Sequence, residues 1–363
     1  ELSVDGVLVD TFTIPEIEAD TAWGRFPDAG TETAMTIWPT PGWTNGSGPG
    51  IGTEAADAIF QTDVVNDLWL WIPESGMNSL GNDPYEEVTA SLAYGAVFFP
   101  AVGVRIKGVW GSLRTLDQKT AFKIDIDAFE DRAIRGLTSL SINNMVQDST
   151  YTHEHLTYRF FRDQGLVAPR TGYTRLYVND EYFGLYLWLE SVEKQFLKRW
   201  YEDASGVLVE GAYGTDFYQG WESYFEYDEG PEPKDWSDVT ELAAQLAVPS
   251  QAPNAYNDLK ELVDMEQFLR VQATEALLLH WDGYTTANNY RVYHDPITDK
   301  FEMIPWGSDQ TWVDVWYGPY DGYGLLYTWC EDNPACFADY QTALAEVADN
   351  LEALPLRDEL DDV

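Results

Sequence analysis

Side chains suited to phosphoryl transfer occur close together near the C-terminus. Asp282 follows a long apolar-periodic segment, the pair Asn288-Asn289 comes shortly after it, and Asp309 ends the second of two predicted strands. Enzymes that transfer phosphate from ATP orient the accepting hydroxyl with one carboxylate, and hold magnesium on the phosphates with an amide and a second carboxylate. This spacing makes Asp282 the candidate catalytic carboxylate, at the end of a helix, with Asp309 and an asparagine as its candidate partners.

A basic cluster lies earlier in the chain, around Lys107, Lys119 and Lys123. Gly108 and Ser112 have small side chains, which suit a loop whose backbone N–H groups can approach a phosphate. Period-two alternation predicts that Lys119 and Lys123 share one face of a strand and point into one cleft. The alternative is that these lysines point outward and pair with surface acids.

The elements that must position these residues are predicted from periodicity and capping. Asp264 and Gln267 form a capping box for a helix over 264–280. Further helices are predicted over 151–164, 192–202 and 339–353, strands over 120–127, 173–178 and 182–189, and an irregular excursion over 213–255.

Residues 1–50 are predicted to be β-rich, with an Asp5-Gly6 hairpin signal and a flexible linker over 46–52. The pattern Gly24-Arg-Phe-Pro-Asp28 followed by Pro39-Thr-Pro-Gly42 resembles the end of a lamin-tail-like, immunoglobulin-type domain. The alternative is that these residues add edge strands to the domain that follows. Because Glu1 opens the sequence in what reads as mid-domain, the chain is expected to be part of a longer precursor.

Composition limits the classes of function. The chain has 21 Lys and Arg against 62 Asp and Glu, a net charge of -41. Nucleic acid and anionic lipid surfaces repel such a chain, so no nucleic-acid partner is expected. No apolar run reaches the length of a membrane span. The two cysteines, Cys330 and Cys336, suit a local disulfide; a pair of free thiols is the alternative.

Four separated motifs resemble the CotH family of secreted, spore-coat-type kinases. They are the basic segment Val104–Lys123, the Asn143-Asn144 stretch, the strand end Gly184–Glu190, and the segment from Asp282 to Asp309. The resemblance covers roughly residues 57–350, so the predicted domains are 1–50 and a CotH kinase-like domain over 51–363. One position departs from the family, because Gly307 stands where Pro-Trp-Asp-x-Asp has its first aspartate.

The resemblance implies an α+β, atypical protein-kinase-like bilobal fold, with the nucleotide between a strand-rich N-lobe and a helical C-lobe. It implies ATP with Mg²⁺ or Mn²⁺ as cofactors, and Asn289 and Asp309 as metal ligands. Nucleotide contacts are implied for Lys107, Gly108, Ser112, Lys119, Lys123 and Glu190. Glu190 is expected to pair with one of the lysines.

The implied reaction is phosphate transfer to Ser or Thr of a secreted or surface protein, which places the chain outside the cell. A different class of function is a non-catalytic scaffold or adhesion protein on the cell surface; Gly307 favours it, whereas Asp282 favours the kinase. An extracellular calcium-binding module is a third class, but no Asp-x-Asp-x-Asp-Gly loop is present. On the kinase hypothesis, Gly307→Asp is expected to raise metal affinity.

Overall fold

The computed structural model describes residues 53–353, apart from residue 62 and residues 314–317, and four short strands before them. The four strands are β1 (Leu2–Val4), β2 (Val7–Asp10), β3 (Ala22–Arg25) and β4 (Thr33–Thr36). They form two antiparallel pairs, β1 with β2 and β3 with β4. The predicted linker over 46–52 lies outside the described residues. The lamin-tail resemblance and the domain boundary after residue 50 stay predictions.

The chain separates into two compact units that alternate along the sequence. Residues 1–144 and 172–189 form the first, called the barrel unit here, and residues 145–171 and 190–363 form the second unit. The chain therefore leaves the barrel unit once and returns to it.

Seven strands of the barrel unit close into a β-barrel. They are β5 (Val65–Trp71), β6 (Val88–Tyr94), β7 (Val97–Lys107), β8 (Ala121–Asp125), β9 (Ser139–Asn143), β10 (Thr171–Val178) and β11 (Glu181–Glu190), with helix α1 (Glu74–Asn82) between β5 and β6. Their order around the barrel is β10-β11-β9-β8-β7-β6-β5. Parallel pairing of Tyr173–Val178 with Val65–Leu70 closes the ring.

Alternating burial explains how these strands enclose a core. In β8, Phe122 and Ile124 belong to the buried cluster, whereas Lys123 and Asp125 are only partly buried. Full burial of an Ile or Phe side chain contributes roughly 1.5–3 kcal/mol. A one-residue slip of β8 would turn these apolar side chains outward, so the core fixes the pairing register.

The second unit combines helices with a four-stranded sheet of order β13-β12-β14-β15. The strands are β12 (Val207–Gly211), β13 (Glu226–Glu229), β14 (Tyr290–Asp295) and β15 (Lys300–Pro305), and each neighbouring pair is antiparallel. The helices are α2 (His153–Asp163), α3 (Lys194–Trp200), α4 (Ser237–Leu246), α5 (Ala255–Leu262), α6 (Met265–Leu277), α7 (Leu325–Glu331) and α8 (Pro334–Ala353).

The bilobal kinase-like fold predicted from the sequence is wrong, although α and β elements are mixed as expected. The strand-rich region closes into a barrel, and the second unit has its own sheet instead of being only helical. Local patterns did not reveal the closure because it joins strands that are far apart in sequence. The region 213–255, predicted to be irregular, contains β13 and α4.

Helix α6 begins as its capping residues predict. The Asp264 side chain accepts a hydrogen bond from the Gln267 backbone N–H at 3.0 Å. The Gln267 side chain does not complete the box but binds strand β15, where it donates to the Met303 carbonyl and accepts from the Met303 N–H at 3.0 Å. The helix start is thereby fixed to the strand that leads toward Asp309.

The predicted disulfide is confirmed. Cys330 and Cys336 are bonded, which joins the end of α7 to the beginning of α8. Among the residues that the structure describes, no helix has both the length and the apolar character needed to cross a membrane.

Candidate functional site

Asp282 lies in a loop, not at the end of the preceding helix. Helix α6 ends at Leu277, and Leu279 then adopts a left-handed backbone conformation with a φ of 57°. After Asp282 comes a single 3-10 turn over Tyr284–Thr286. Because the helix stops earlier than predicted, the hydrogen bonds of this loop position the Asp282 carboxylate.

Two asparagine amides hold the Asp282 carboxylate. The Asn288 Nδ2 donates to Oδ1 at 2.9 Å, and the Asn289 Nδ2 donates to Oδ2 at 2.9 Å. The same Asn289 nitrogen donates to the Asp282 backbone carbonyl at 2.8 Å. Since the nitrogen of Asn289 is directed at Asp282, its Oδ1 is the atom that could contact a cation.

Gly307 packs directly against Asn289. It has a φ of +57°, and a Cβ built on it would lie 2.8 Å from the Asn289 Cγ. Side chains disfavour this backbone conformation, and the close contact would displace the amide. Glycine therefore fits without strain at the position where the resemblance expects an aspartate, and a larger residue there is disfavoured. This geometry changes the prediction for Gly307→Asp, which we now expect to disturb Asn289 instead of adding a ligand.

The pKa values of Asp282 and Asp309 are both raised, and the charge of Asp282 contributes to the shift of Asp309. Burial raises the pKa of Asp282 above its usual value, while Asn288, His280 and Asn289 oppose this increase. Burial also raises the pKa of Asp309, and repulsion from the Asp282 charge raises it further. Carboxylates whose pKa is raised by burial and by a neighbouring carboxylate are common at catalytic and cation-binding sites.

Sequence reasoning missed two buried residues beside this pair. Glu275 on α6 and His280 in the following loop are both fully buried. Glu275 Oε1 lies 3.5 Å from His280 Nδ1, and His280 Nε2 lies 3.2 Å from the Gly307 carbonyl oxygen. Burial alone would lower the pKa of His280, but Glu275, the Gly307 carbonyl and Asp282 together outweigh this effect and the pKa is raised. A glutamate within the apolar run of α6 was the signal available in the sequence.

The oxygen atoms of Asp282, Asp309 and Asn289 are of the type that Mg²⁺ and Mn²⁺ prefer. The effect of the Asp282 charge on Asp309 fits a cation, because a positive charge would relieve it. Within the described part of the chain, no group of three or more His, Cys, Asp or Glu residues is suited to hold a metal. The residues therefore fit a cation that keeps most of its ligands from substrate and water.

Four of the predicted nucleotide-binding residues gather near Asn143 and Asn144 in the barrel unit. The Lys107 ammonium donates to the Asn143 side chain. The Asn144 amide donates to the backbone carbonyls of Ser112 and Lys119 at 2.9 and 3.0 Å. Gly108 precedes this loop with a φ of +103°, and a Cβ there would lie 2.8 Å from the Ser112 Oγ. The loop with small side chains that the sequence predicts is present.

Lys119 and Lys123 are placed differently, contrary to the period-two prediction. Lys119 precedes β8, and its ammonium lies 5.1 Å from the Tyr186 ring centroid, where burial lowers its pKa to about 8. Lys123 lies within β8 and donates to the Ser139 hydroxyl at 3.3 Å. The alternation argument fails because the strand begins only at Ala121. A cleft shared by Lys119 and Asp282 stays a prediction.

Glu190 is paired with arginines, and the expected lysine partner is wrong. Its carboxylate accepts hydrogen bonds from Arg170 and from Arg199, the latter at 2.7 Å. It also accepts from the Arg170 backbone N–H at 2.9 Å. Both arginines belong to the second unit, as Glu190 does. The sequence prediction overlooked them because they stand outside the basic segment.

Comparison with known proteins places these residues in a family. The family described as CotH kinase protein matches residues 104–356, which is more than half of the chain. Inner spore coat protein H of Bacillus subtilis (strain 168) is 25% identical over 201 residues, covering 52% of this chain and 53% of that protein. Invasin CotH2 of Rhizopus delemar is 24% identical over 266 residues, covering 66% of this chain and 43% of that protein. The chain thus spans about half the length of the curated relatives it matches.

Proposed function

The chain belongs to the CotH kinase protein family, and from this premise we propose that it transfers a phosphoryl group from ATP to a Ser or Thr hydroxyl of a secreted or surface protein. The observation that carries this proposal is the arrangement of Asp282, whose two oxygens each accept an asparagine amide, beside the second carboxylate of Asp309. Such a set can orient a hydroxyl and bind a cation in neighbouring positions.

In this proposal Asp282 orients the accepting hydroxyl and takes its proton. Its amide partners hold both oxygens in place before the substrate arrives, which reduces the reorganisation needed during reaction. The raised pKa of Asp282 makes its carboxylate a stronger base than an exposed aspartate. Asp309 and the Asn289 Oδ1 would hold the Mg²⁺ or Mn²⁺, which when bound supplies charge stabilisation on the transferred phosphate.

Lys107 and Lys119 are proposed to supply positive charge to the phosphates, with Gly108 and Ser112 as backbone donors, whereas Lys123 contacts Ser139 and is not assigned to this site. Lys119 is the foremost of these, because a pKa of about 8 keeps a substantial part of its charge near neutral pH while burial strengthens its interactions. Glu190 is better suited to organise Arg170 and Arg199 than to touch a nucleotide, since both arginines occupy its carboxylate.

The direct test is binding of ATP in the presence of Mg²⁺ or Mn²⁺, followed by transfer of labelled γ-phosphate to protein. Wild-type protein is expected to bind the metal–nucleotide complex, and Asp309→Asn to weaken binding of both components. Lys119→Met tests the phosphate contact, and exposed Lys234→Met serves as its control. Absence of nucleotide binding with either metal would reject the kinase proposal.

A non-catalytic surface protein is the second candidate. Gly307 favours it, because the first carboxylate of the Pro-Trp-Asp-x-Asp pattern is replaced by a residue whose geometry leaves no room for one. The names of the relatives, a spore coat protein and an invasin, fit a role on a surface. The binding experiment separates the candidates, since this function requires no nucleotide.

A further inference from the structure

Glu275 and His280 connect the two loops that carry Asp282 and Asp309. The His280 Nε2 lies 3.2 Å from the carbonyl oxygen of Gly307, in the loop that continues to Asp309. The other ring nitrogen faces Glu275 Oε1 at 3.5 Å. With Nε2 protonated, the imidazole donates to the Gly307 carbonyl and thereby fixes the backbone next to Asp309.

Glu275 reaches the other loop through its second oxygen. The Thr285 backbone N–H donates to Glu275 Oε2 at 3.2 Å. The Gln272 Nε2, one turn earlier on α6, donates to the Thr285 hydroxyl at 3.0 Å. Helix α6 therefore holds the loop after Asp282 by two contacts.

Gly283 leaves no space around this pair. A Cβ on Gly283 would lie 2.5 Å from the His280 Nδ1 and 2.7 Å from Glu275 Oε1. The loop backbone thus packs directly on the two side chains, and atoms added between them would have to move the loop or the side chains. A buried ionic pair stabilises a fold little compared with well-packed apolar residues, whereas it directs hydrogen bonds that apolar residues cannot make.

We propose that Glu275 and His280 are positioning residues that set the spacing between the Asp282 carboxylate and the Asp309 carboxylate. The inference rests on the proposed phosphoryl transfer, because it assigns these residues to the same site. Neither residue touches the substrate. Glu275 fixes the Asp282 loop, His280 fixes the Asp309 loop, and their mutual contact joins the two.

The test compares His280→Ala, His280→Gln and Gly283→Ala with wild type in the full chain. Mn²⁺ binding is followed by electron paramagnetic resonance with and without ATP, and kcat and KM are measured for phosphoryl transfer. His280→Ala is expected to lower Mn²⁺ affinity and kcat by roughly 10- to 100-fold, as for residues that orient metal ligands. His280→Gln can donate to the Gly307 carbonyl and is expected to recover most of the loss.

Gly283→Ala keeps both groups and adds only a methyl group between them, so it is expected to lower Mn²⁺ affinity as well. His294→Gln is the matched control, because His294 also contacts a carboxylate of the second unit, Asp238 at 2.8 Å. It is expected to change neither Mn²⁺ affinity nor kcat. Hydrogen exchange at residues 305–309 is expected to quicken in His280→Ala and to stay unchanged in the control.

The outcomes distinguish this inference from the proposed function. If wild-type protein binds Mn²⁺ with ATP and Asp309→Asn does not, but His280→Ala binds as wild type does, only the positioning role is overturned. The same holds if His280→Gln loses as much affinity as His280→Ala although both remain folded. If wild-type protein binds no Mn²⁺ with ATP, the proposed function and the positioning role both fall.

Discussion

Glu190 is a buried carboxylate and Asp309 a half-buried carboxylate of the second unit, and their surroundings differ in charge. Burial raises the pKa of Glu190, but Arg199 and Arg170 outweigh this effect and the pKa is lowered. Burial raises the pKa of Asp309 too, and its carboxylate neighbour Asp282 adds to the increase. Two arginines neutralise the Glu190 carboxylate, whereas the Asp309 carboxylate lies near a second acid, Asp282.

The charge of the neighbouring groups distinguishes a structural carboxylate from a chemically active one more clearly than burial does. A compensated carboxylate such as Glu190 has its charge satisfied within the fold, and removing it would leave buried cations without a counter-charge. An acid beside another acid is costly to the fold unless a proton or an external cation neutralises it. The resemblance assigned both residues to one nucleotide site, whereas their partners favour a structural role for Glu190 and a cation-binding role for Asp309.

The largest effect is expected from Asp282→Asn. Loss of the proton-accepting carboxylate should reduce phosphoryl transfer by roughly 10²- to 10⁴-fold. The melting temperature should fall only modestly, because the neutral asparagine removes a charge that burial disfavours but can accept only one of the two amide hydrogen bonds. Radiolabel transfer and thermal unfolding are measured together, with Asp258→Asn as an exposed control. A variant that keeps most of the wild-type rate would remove Asp282 from the mechanism.

Glu190→Gln and Asp309→Asn test the comparison directly. The first leaves Arg170 and Arg199 without their buried counter-charge and should lower the free energy of unfolding by about 3–5 kcal/mol. The second removes a repulsion and should leave that free energy unchanged or raise it, while Mn²⁺ affinity falls. Urea unfolding provides the measurement, with exposed Glu241→Gln as control. Equal destabilisation by both variants would contradict the comparison.

Asp216 is an intermediate case, a buried carboxylate with neutral partners. Burial raises its pKa from 3.8 to about 6, despite hydrogen bonds from the Leu325 and Phe217 N–H groups and the Tyr284 hydroxyl. Its contribution to stability is therefore present below pH 3.8 and is lost as the pH rises through about 6. The difference corresponds to about 3 kcal/mol.

Urea unfolding of wild type and Asp216→Asn between pH 4 and pH 7 tests this contribution. Because the asparagine does not titrate, wild type should gain stability relative to the variant as the pH falls. A constant difference between the two proteins across this range would show that the pKa of Asp216 is not raised.

Substitutions of Gly307 test why the first aspartate of the Pro-Trp-Asp-x-Asp pattern is missing. Gly307→Ala should cost about 1–2 kcal/mol because of its left-handed backbone, and the methyl group should push Asn289 away. Gly307→Asp should behave similarly and lose Mn²⁺ affinity. Gly81→Ala in helix α1, where a Cβ meets nothing within 4 Å, is the control and should be neutral or stabilising. A gain of Mn²⁺ affinity in Gly307→Asp would restore the original prediction.

The smallest effect concerns exposed charge. With a net charge of -41, repulsion across the surface should dominate over its ion pairs. Raising the salt concentration from about 0.01 M to about 1 M shortens the screening length from about 30 Å to about 3 Å. The melting temperature should hold or rise over this range. A clear fall would mean that pairs such as Lys260–Asp339 matter more than repulsion.

The sequence predicted elements well where periodicity and capping act locally. Helix α6 begins at its predicted cap, and the strands on either side of Asn179-Asp180 were expected. The turn between them uses positive φ values of 50° and 69°, which these two residues tolerate. Barrel closure was not predictable in this way, because it depends on pairing between distant strands rather than on any local pattern.

The sequence predicted residues of the candidate site, but not the contacts that hold them in place. Asp282 and Asn289 were identified from spacing, and the structure places them in contact. The His280 contact with the Gly307 carbonyl could not be read from the sequence, because it involves a backbone atom. In the sequence, Gly307 only marks the position of a missing ligand. Its φ of +57° in the structure shows why glycine suits this loop.

The barrel cannot close until residue 190 has left the ribosome, because β11 joins β10 to β9. Strand β5 pairs with β10, which follows about 100 residues later in the chain. At a synthesis rate of about 5–20 residues per second, β10 is made roughly 5–20 s after β5. During that time β5 and β9 present open edges that can pair with other chains. The intervening residues 145–171 belong to the second unit and must wait in turn for the segment that begins at residue 190. The barrel unit can therefore finish folding only after residues 145–171 of the second unit have been made, and a chain cut within residues 145–171 would release two incomplete pieces.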